Sequence, residues 1–441
     1  MEQKNSKKLI RGWAMFDWAN SAYNLVITST IFPAYYTAIT TTEEHGDKVN
    51  FFGIEFVNTA LSNYALSVAY LIMAILLPLL SSTADYRGNK KVFMKIFTYL
   101  GGLACAFLVF FKLETLELGV ICFALAAMGY IGGVMFSNSY LPEIATVDRQ
   151  DQVSAQGFAY GYVGSVLLQL ICFVIVLNPG MFGISDQSLG PRISFLLVGL
   201  WWVGFAQIPF KRLPAGSPNH DKINTRVIRS GYQELLNVWR KLKKIKRLKR
   251  FLSAFFFYSV GVQTIMLVAA LFGEKVLKLG QSKLIATILI IQIVAILGAY
   301  LMSVLAKKIG NIKVLMFVVV IWIGVCVAAY SILNENQFYV IAAVVGLIMG
   351  GIQSLSRSTY SKFLPENTPD TASFFSFYDV TEKVAIVIGL AAFAFIEEKS
   401  NIRNSALGLS VFFLFSFAML IVLLRTKEDT GLQLEEEKIY K

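Results

Sequence analysis

Five polar side chains recur at helical intervals in the first long apolar segment of the chain, residues 13–40. They lie three, four, seven and eleven residues after the first of them, so an α-helix places all five on one face. A charged carboxylate at the centre of a lipid-exposed helix costs about 2.5–3.5 kcal/mol on insertion scales. We therefore expect this stripe to face a central cavity or a partner helix. The stripe consists of Asp17, Asn20, Ser21, Asn24 and Thr28. The role of Asp17 stays open, since a structural ion pair near the headgroups explains it as well as contact with a substrate.

Three charged residues interrupt another apolar segment, residues 373–396. Lys383 follows Asp379 by four residues and Glu382 by one, so a helix brings Lys383 over Asp379 with Glu382 beside it. Ionisable groups inside a membrane pair with one another or line a wet path. The carboxylate left over from such a pair is a candidate proton carrier. Alternatively, the three residues form a salt-bridge knot that fixes helix packing.

Arg357 lies in a polar run at the end of the apolar segment 338–360. A guanidinium can hold a carboxylate through two parallel hydrogen bonds. That carboxylate could belong to a substrate, to Glu143 or to Asp17; alternatively, Arg357 only anchors the end of a helix. Other polar groups in apolar segments either line a cavity or hydrogen-bond one helix to another. These are Tyr160, Tyr258, Gln263 and Gln353.

The composition is typical of a multi-pass membrane protein. Of 441 residues, 56% are hydrophobic and 15% are charged, and the mean hydropathy is +0.60. Soluble domains average about 25% charged residues, and a membrane-crossing helix needs about 20 apolar residues. We therefore expect an all-α membrane protein with twelve transmembrane helices. The predicted spans are 13–40, 59–82, 92–111, 118–140, 153–177, 192–210, 251–273, 284–306, 313–333, 338–360, 373–396 and 405–424.

Basic residues are concentrated on one side of the predicted membrane, and the formal net charge is +12. The segment 211–250, between the sixth and seventh spans, holds thirteen Lys and Arg residues, whereas the loops of the opposite side together hold eight. The positive-inside rule places the basic side and both termini in the cytoplasm. In a bacterium the membrane would be the cytoplasmic membrane. Since membrane topology explains the basic charge, we expect no nucleic-acid partner.

The linker 211–250 has a pattern of its own. Apolar residues recur near helical spacing in 226–250, opposite a basic face. This pattern predicts an amphipathic helix on the inner leaflet. A solvated charge run is the alternative.

A short sequence recurs about half the chain length later. Residues 81–94 and 303–316 are identical at seven of fourteen positions, and each copy follows the second span of its half. The repeat predicts two pseudo-symmetric six-helix halves, 1–210 and 251–425, followed by a cytoplasmic tail, 426–441. Repeats of this kind are typical of secondary transporters that bind their substrate near the membrane midplane.

The first copy of the repeat carries a candidate gate. Asp85 ends the second span on the basic side, where the eleventh span begins. A carboxylate is favoured near the positive N-terminal end of a helix. We therefore expect Asp85 to join the two halves and to hold the cytoplasmic gate closed. The other gating residues are Arg87, Gly88, Lys90 and Lys91.

Several of these stretches resemble known families. Residues 85–91 resemble the signature loop of the major facilitator superfamily, although Ser81 replaces its leading glycine and Tyr86 the arginine after its aspartate. Stretches in the first, tenth and eleventh spans, among them Asp17-Trp-Ala-Asn-Ser-Ala-Tyr23, resemble the vacuole effluxer-like permeases of that superfamily. The resemblance covers nearly the whole chain. It implies the major facilitator fold, a gating role for the signature loop and export of small solutes, with amino acids as the fungal case.

The leading hypothesis is a secondary active transporter of a small polar solute, with amino acids as the first candidates and proton coupling as an open point. The motifs of zinc proteases, serine hydrolases, nucleotide-binding loops and CxxC redox sites do not occur in the sequence. We therefore expect no enzyme activity, no cofactor and no metal, and a monomer in the lipid bilayer. Two alternatives stay open: efflux of lipophilic compounds, and a non-transporting membrane receptor or scaffold.

Overall fold

The computed structural model describes residues 4–43, 46–216 and 225–426, and these are almost entirely helical. Short 3₁₀ turns occupy Leu108–Phe110, Leu113–Thr115 and Pro179–Phe182. The α-helices are α1 Lys7–Ala22, α2 Ile31–Thr40, α3 Asn58–Arg87, α4 Lys90–Phe107, α5 Leu116–Asn138, α6 Leu141–Ile144, α7 Gln150–Leu177, α8 Leu189–Arg212, α9 Thr225–Lys244, α10 Lys246–Leu277, α11 Gln281–Ile309, α12 Asn311–Ser331, α13 Glu335–Lys362, α14 Thr371–Lys399 and α15 Ile402–Leu424.

Ten helices in these ranges are long and apolar enough to cross a membrane, judged by length and composition. The other two predicted spans, 13–40 and 373–396, are also helical. A π-helix divides the first of them, and the charged residues of the sequence prediction lie in the second. All twelve predicted segments overlap helices, with ends that differ by a few residues.

The first span is not a regular α-helix, because a π-helix, Tyr23–Thr30, separates α1 from α2. Pro33 lies in the first turn of α2 and has no N–H to donate to the carbonyl four residues earlier. The hydroxyls of Ser29 and Thr30 donate to carbonyl oxygens five residues back, at 2.8 and 2.7 Å. The prediction that all five polar residues lie on one face of a regular α-helix is therefore wrong for Asn24 and Thr28, which lie in the π-helix. Single-turn π-bulges are frequent at functional sites.

Two elements lie between the spans. A β-hairpin, β1 Lys48–Phe51 and β2 Ile54–Val57, follows α2, and the sequence analysis did not predict it. The two residues of its turn, Phe52 and Gly53, have φ of 49° and 83°. Residues of the linker form α9, the predicted amphipathic helix, which packs against α3 and α14.

We call the helices before the linker the N-terminal half and those after it the C-terminal half; the two sets meet mainly where α3 packs on α14 and where α7 packs on α11 and α13. We call the end at which α1 and α7 begin and α3 ends the basic end, and the opposite end the hairpin end. Lys241 of α9 forms an ion pair of 2.7 Å with Asp370, the residue before α14. This ion pair is one of the polar contacts at the basic end, and it joins the linker helix to the beginning of α14.

Candidate functional site

Arg357 of α13 crosses from its own half into the other and is held there by three residues. Its Nη1 donates to Asp17 Oδ2 and to Asn138 Oδ1, both at 3.0 Å. Its Nε and Nη2 donate to the hydroxyl and the carbonyl of Ser154, at 3.0 and 2.8 Å. We call these four residues the Arg357 lock. Of the carboxylates that the sequence analysis left open for Arg357, the structure selects Asp17.

The surroundings of the Arg357 lock are closely packed. The guanidinium lies over the rings of Trp13 and Phe158, 4.6 and 4.2 Å from their centroids. A Cβ on Gly157 of α7 would meet Asp17 Oδ2 and would lie 2.7 Å from Arg357 Nη2, so any larger residue would have to displace the pair. Arg357 is 3% exposed. Its three nitrogens are all engaged with protein groups, so it is not free to hold the carboxylate of a substrate in this conformation.

The other members of the predicted stripe have different surroundings. Asn20 is 1% exposed, and its Nδ2 has no hydrogen-bond partner within the described residues. The hydroxyl of Ser21 donates to Asn20 Oδ1 at 3.4 Å. Asn24 is exposed, and the buried hydroxyl of Thr28 has no partner in the part of the chain described. Asp17, at the start of the stripe, is therefore hydrogen-bonded, whereas Asn20 Nδ2 and the Thr28 hydroxyl further along have no partner among the described residues.

The three charged residues of α14 form a cluster with a residue of α10. Lys383 Nζ lies 2.8 Å from Glu382 Oε2 and 3.7 Å from Asp379 Oδ1. Gln263 of α10 donates to Glu382 Oε1 at 2.8 Å. Asp379 is 5% exposed, and its Oδ2 has no hydrogen-bond partner among the described residues. We call these four residues the Lys383 cluster; Glu382 is its paired carboxylate, and Asp379 is the one left over.

Three tyrosines of the other half approach the Lys383 cluster, and sequence reasoning missed them. The ring centroid of Tyr70 on α3 lies 5.9 Å from Lys383 Nζ. Tyr130 of α5 packs on Tyr23, with ring centroids 5.1 Å apart. The hydroxyl of Tyr23 is buried and has no partner in the described ranges. Tyrosines in apolar helices carry no distinctive spacing, so only the helix packing identifies them.

The remaining predicted cavity residues mostly join helices. Gln353 accepts a hydrogen bond of 2.7 Å from Tyr162 of the other half. Tyr258 and Ser356 share a hydrogen bond of 2.5 Å. Tyr160 packs edge-on against Trp18, with centroids 6.5 Å apart. For Tyr258 and Gln353 the structure favours the helix-joining alternative; Gln263 instead belongs to the Lys383 cluster.

Asp85 contacts the beginning of α14, as its position predicts. Its Oδ2 accepts hydrogen bonds from the backbone N–H and the hydroxyl of Ser373, both at 2.7 Å. Its Oδ1 accepts from the N–H of Ala372 at 3.2 Å. The carboxylate thus binds free N–H groups at the positive end of a helix in the other half. Gly88, at the end of α3, has a φ of 62°, which is the left-handed region that ends helices.

The basic residues of the same loop also connect elements at the basic end. Lys90 forms an ion pair with Glu143 and donates to the hydroxyl of Thr371 at 3.0 Å. That hydroxyl donates to Glu143 at 3.0 Å. Glu143 is therefore part of the contacts at the basic end and not a partner of Arg357. Lys91 donates to the carbonyl of Leu213 at 2.6 Å, which ties the start of the linker to this loop. Arg87 also forms a polar interaction.

A further polar contact between the halves, also missed by sequence reasoning, joins the beginning of α7 to the end of α13 and the beginning of α12. Asp151, in the first turn of α7, forms an ion pair of 2.5 Å with Lys362. It also accepts a hydrogen bond of 2.7 Å from Asn311. In the second copy of the repeat, Lys307 replaces Asp85 and is exposed. The carboxylate of this second interface is therefore supplied by the opposite half.

Hydrogen bonds between the two halves thus run from the basic end to Tyr162 and Gln353; within the described residues, the structure shows none at the hairpin end. Two helical halves, closed at one end around buried charges, define a transporter of the major facilitator type.

The structure of FucP, a major facilitator superfamily transporter in the outward conformation, covers 95% of this chain with a TM-score of 0.66 and 13% identity, over 99% of that protein. The human organic anion transporter MFSD10 also covers 95%, with a TM-score of 0.70 and 10% identity, over 100% of its own length.

Sequence comparison identifies the family. Residues 5–431 match the family described as "Vacuole effluxer Atg22 like", and the chain belongs to this family. The uncharacterized MFS-type transporter YxiO of Bacillus subtilis is 28% identical over 437 residues, 99% of this chain and 98% of YxiO. Autophagy-related protein 22 of Yarrowia lipolytica is 24% identical over 88% of this chain and 78% of its own length. The protein is therefore a multi-pass integral membrane transporter, and the resemblance of its sequence to the vacuole effluxer-like permeases of the major facilitator superfamily is confirmed.

Proposed function

We propose that the protein is a twelve-span secondary transporter of amino acids, or of closely similar zwitterions, and that it works by alternating access between its two halves. The observation that carries this proposal is the Lys383 cluster, which faces tyrosines of the other half. It combines one cation, two carboxylates and aromatic walls at the boundary of the halves. A zwitterion presents a carboxylate for Lys383 and an ammonium group for Asp379, and the rings of Tyr70 and Tyr130 can pack on its apolar part.

Proton coupling follows from the charge balance of this site. One ammonium group, that of Lys383, neutralises only one of the two carboxylates. Glu382 lies 2.8 Å from it and has Gln263 as a further partner, whereas Asp379 lies 3.7 Å away with one oxygen unsatisfied. A buried carboxylate with a distant counter-ion and an unsatisfied oxygen is expensive to keep charged. Asp379 is therefore the residue expected to take up and release the coupled proton.

The contacts between the halves supply the gate. In this conformation the basic end is closed by Asp85, Asp151 and the Arg357 lock. If the basic end is cytoplasmic, as the charge distribution predicts, the structure corresponds to a state that is closed toward the cytoplasm. Opening would separate α3 from α14 and α7 from α11, and it would break Arg357 away from Asp17.

Transport by the purified protein in proteoliposomes, across a panel of amino acids with and without a pH gradient, tests the proposal. Uptake or exchange of at least one amino acid is expected, and Lys383→Gln should reduce it by at least about tenfold, because a lost charge-assisted contact is worth roughly 1.5–3 kcal/mol. Lys399→Gln, at an exposed lysine of the same helix, is the matched control and should transport normally. Absence of flux under every gradient would refute the proposal.

Efflux of lipophilic compounds is the second candidate, and one observation favours it. A small cavity of about 70 Å³ within the C-terminal half is lined almost wholly by apolar side chains, among them Phe272, Phe338 and Phe393. Lipophilic cations therefore belong in the same transport panel. If they are transported and Lys383→Gln leaves their flux unchanged, this candidate replaces the first.

A further inference from the structure

A cleft lined by three exposed cations lies between the beginnings of α1 and α7. It has a volume of about 220 Å³. Lys7 and Arg11 line it from α1, and Arg149 lines it from the residue before α7. Among the described residues, none of these three side chains has a hydrogen bond or an ion pair. Gln152 and Gln156 of α7 also line the cleft with side-chain amides that have no protein partner in the same ranges.

The backbone adds to the positive potential of this cleft. Both α1 and α7 begin at it, and neither has a side-chain hydrogen bond at its N-cap. The N-terminus of a helix carries a partial positive charge and free N–H groups that favour anions. The acidic residue in the first turn of α7, Asp151, is turned to the other interface and paired with Lys362. Asp148, next to Arg149 in sequence, is exposed and does not line the cleft.

One wall of the cleft is fixed. Asn5 donates to the hydroxyl of Thr146 at 2.8 Å and accepts from its N–H at 3.1 Å, which joins the chain before α1 to the loop before α7. The cleft therefore has one wall held by protein hydrogen bonds, and several side chains with donor groups line it. Its place at the starts of two spans corresponds to the depth of lipid headgroups on the basic side.

We propose that this cleft binds a phosphate-bearing anion, either the headgroup of an anionic phospholipid or a free phosphate. Three cations, two amides and two helix N-termini match the charge and the many acceptor oxygens of a phosphate group. Bound there, the anion holds α1 and α7 together. These two helices carry Asp17 and Ser154, so the anion keeps in place the groups that receive Arg357. The site is independent of the transported solute.

Thermal unfolding of the full chain in nanodiscs tests this site and separates the two sources of phosphate. Three conditions are compared at equal ionic strength: phosphatidylcholine alone, phosphatidylcholine with phosphatidylglycerol, and phosphatidylcholine with inorganic phosphate in solution. We expect at least one phosphate condition to raise the unfolding midpoint by about 2–4 °C, since a ligand that binds the folded state stabilises it. A rise with phosphatidylglycerol alone identifies a lipid site, and a rise with inorganic phosphate identifies a site open to free anions.

Substitutions of the arginines that line the cleft test whether the rise of the unfolding midpoint comes from binding there. Arg11→Gln combined with Arg149→Gln should abolish the rise, and each single substitution should remove about half of it. Lys8→Gln is the matched control, because Lys8 is an exposed lysine of α1 outside the cleft, and it should keep the full rise. If the double variant does not fold, the single variants decide. The proposal is overturned if neither phosphate condition raises the midpoint, or if the rise persists in the arginine variants.

Discussion

The Arg357 lock and the Lys383 cluster are both buried groups of charges at the boundary of the two halves, but they differ in how fully their polar atoms are satisfied. All three nitrogens of Arg357 donate to protein acceptors at 2.8–3.0 Å, and two aromatic rings cover the guanidinium. In the Lys383 cluster, one cation serves two carboxylates, and Asp379 Oδ2 has no partner among the described residues.

This difference indicates two roles: one group of charges holds the two halves together, and the other has room for the transported solute. A satisfied network is stable only with all of its members present, because removal of one leaves the others buried without a partner. An unsatisfied network has room for a proton or a ligand. This contrast supports the proposal that the Arg357 lock closes the basic end and that the Lys383 cluster binds the solute and the proton. The predictions below are ordered from the largest expected effect to the smallest.

Arg357→Ala should give the largest loss of stability. It leaves Asp17 buried without its cation, and breaking a buried ion pair by removing one partner costs about 3–5 kcal/mol. Arg357→Lys should lose less, because the charge remains while the planar fork of donors is lost. Chemical unfolding of the purified variants measures the change. Lys308→Ala, at an exposed lysine of the basic end, is the control and should stay within about 0.5 kcal/mol. Equal effects of the two alanine substitutions would show that the lock does not hold the fold.

Gly157→Ala should destabilise by about 1–3 kcal/mol, because the new methyl group overlaps the Asp17–Arg357 pair. Gly204→Ala is its matched control. A Cβ on Gly204, also in a helix, would meet nothing within 4 Å, so this variant should gain about 0.5–1 kcal/mol from helix propensity. The two substitutions are compared by their unfolding free energies. A Gly157 variant as stable as wild type would mean that the lock has more space than the structure shows.

Asp85→Asn should shift the balance of open and closed basic ends without unfolding the protein. Loss of a charge at the N-terminus of α14 removes about 1 kcal/mol, which changes the ratio of the two states roughly fivefold. Spin labels at Val147→Cys and Lys308→Cys, one in each half and both exposed, report the opening as a longer distance between the labels. Asp186→Asn, an exposed carboxylate outside the interface, serves as control. Unchanged label distances in the Asp85 variant would remove Asp85 from the gate.

Asp379→Asn should have the smallest effect on stability, within about 1 kcal/mol of wild type. Asparagine keeps the size of the side chain, and Lys383 retains Glu382 at 2.8 Å. The measurement is the same chemical unfolding as for Arg357→Ala. A loss as large as that of Arg357→Ala would mean that both groups of charges are structural, and the contrast between them would disappear.

The sequence was enough to predict features that depend on one helix or on the order of the spans. It was not enough to predict contacts that depend on how each helix is rotated about its own axis. The spans follow from runs of apolar residues, and the grouping of Asp379 with Lys383 follows from spacing along one helix. The contact of Asp85 with the beginning of α14 follows from the order of the spans, which places both at the basic side, and from the positive end of a helix. The sequence left three possible carboxylates for Arg357, those of a substrate, of Glu143 and of Asp17, because nothing in it shows which face of α13 points toward α1. The tyrosines around Lys383 and the partners of Asp151 were missed for the same reason. The π-helix was missed because i+3 and i+4 arithmetic assumes a regular helix.

The most direct test of the account is proton-coupled accumulation by the Asp379→Asn variant in proteoliposomes, with an amino acid that wild type transports. Accumulation against a concentration gradient, driven by a pH gradient, is compared with exchange of labelled for unlabelled solute at equal pH. The account predicts that Asp379→Asn retains exchange and loses accumulation, because the site still binds solute but no longer carries the proton. Accumulation by the variant equal to that of wild type would contradict it.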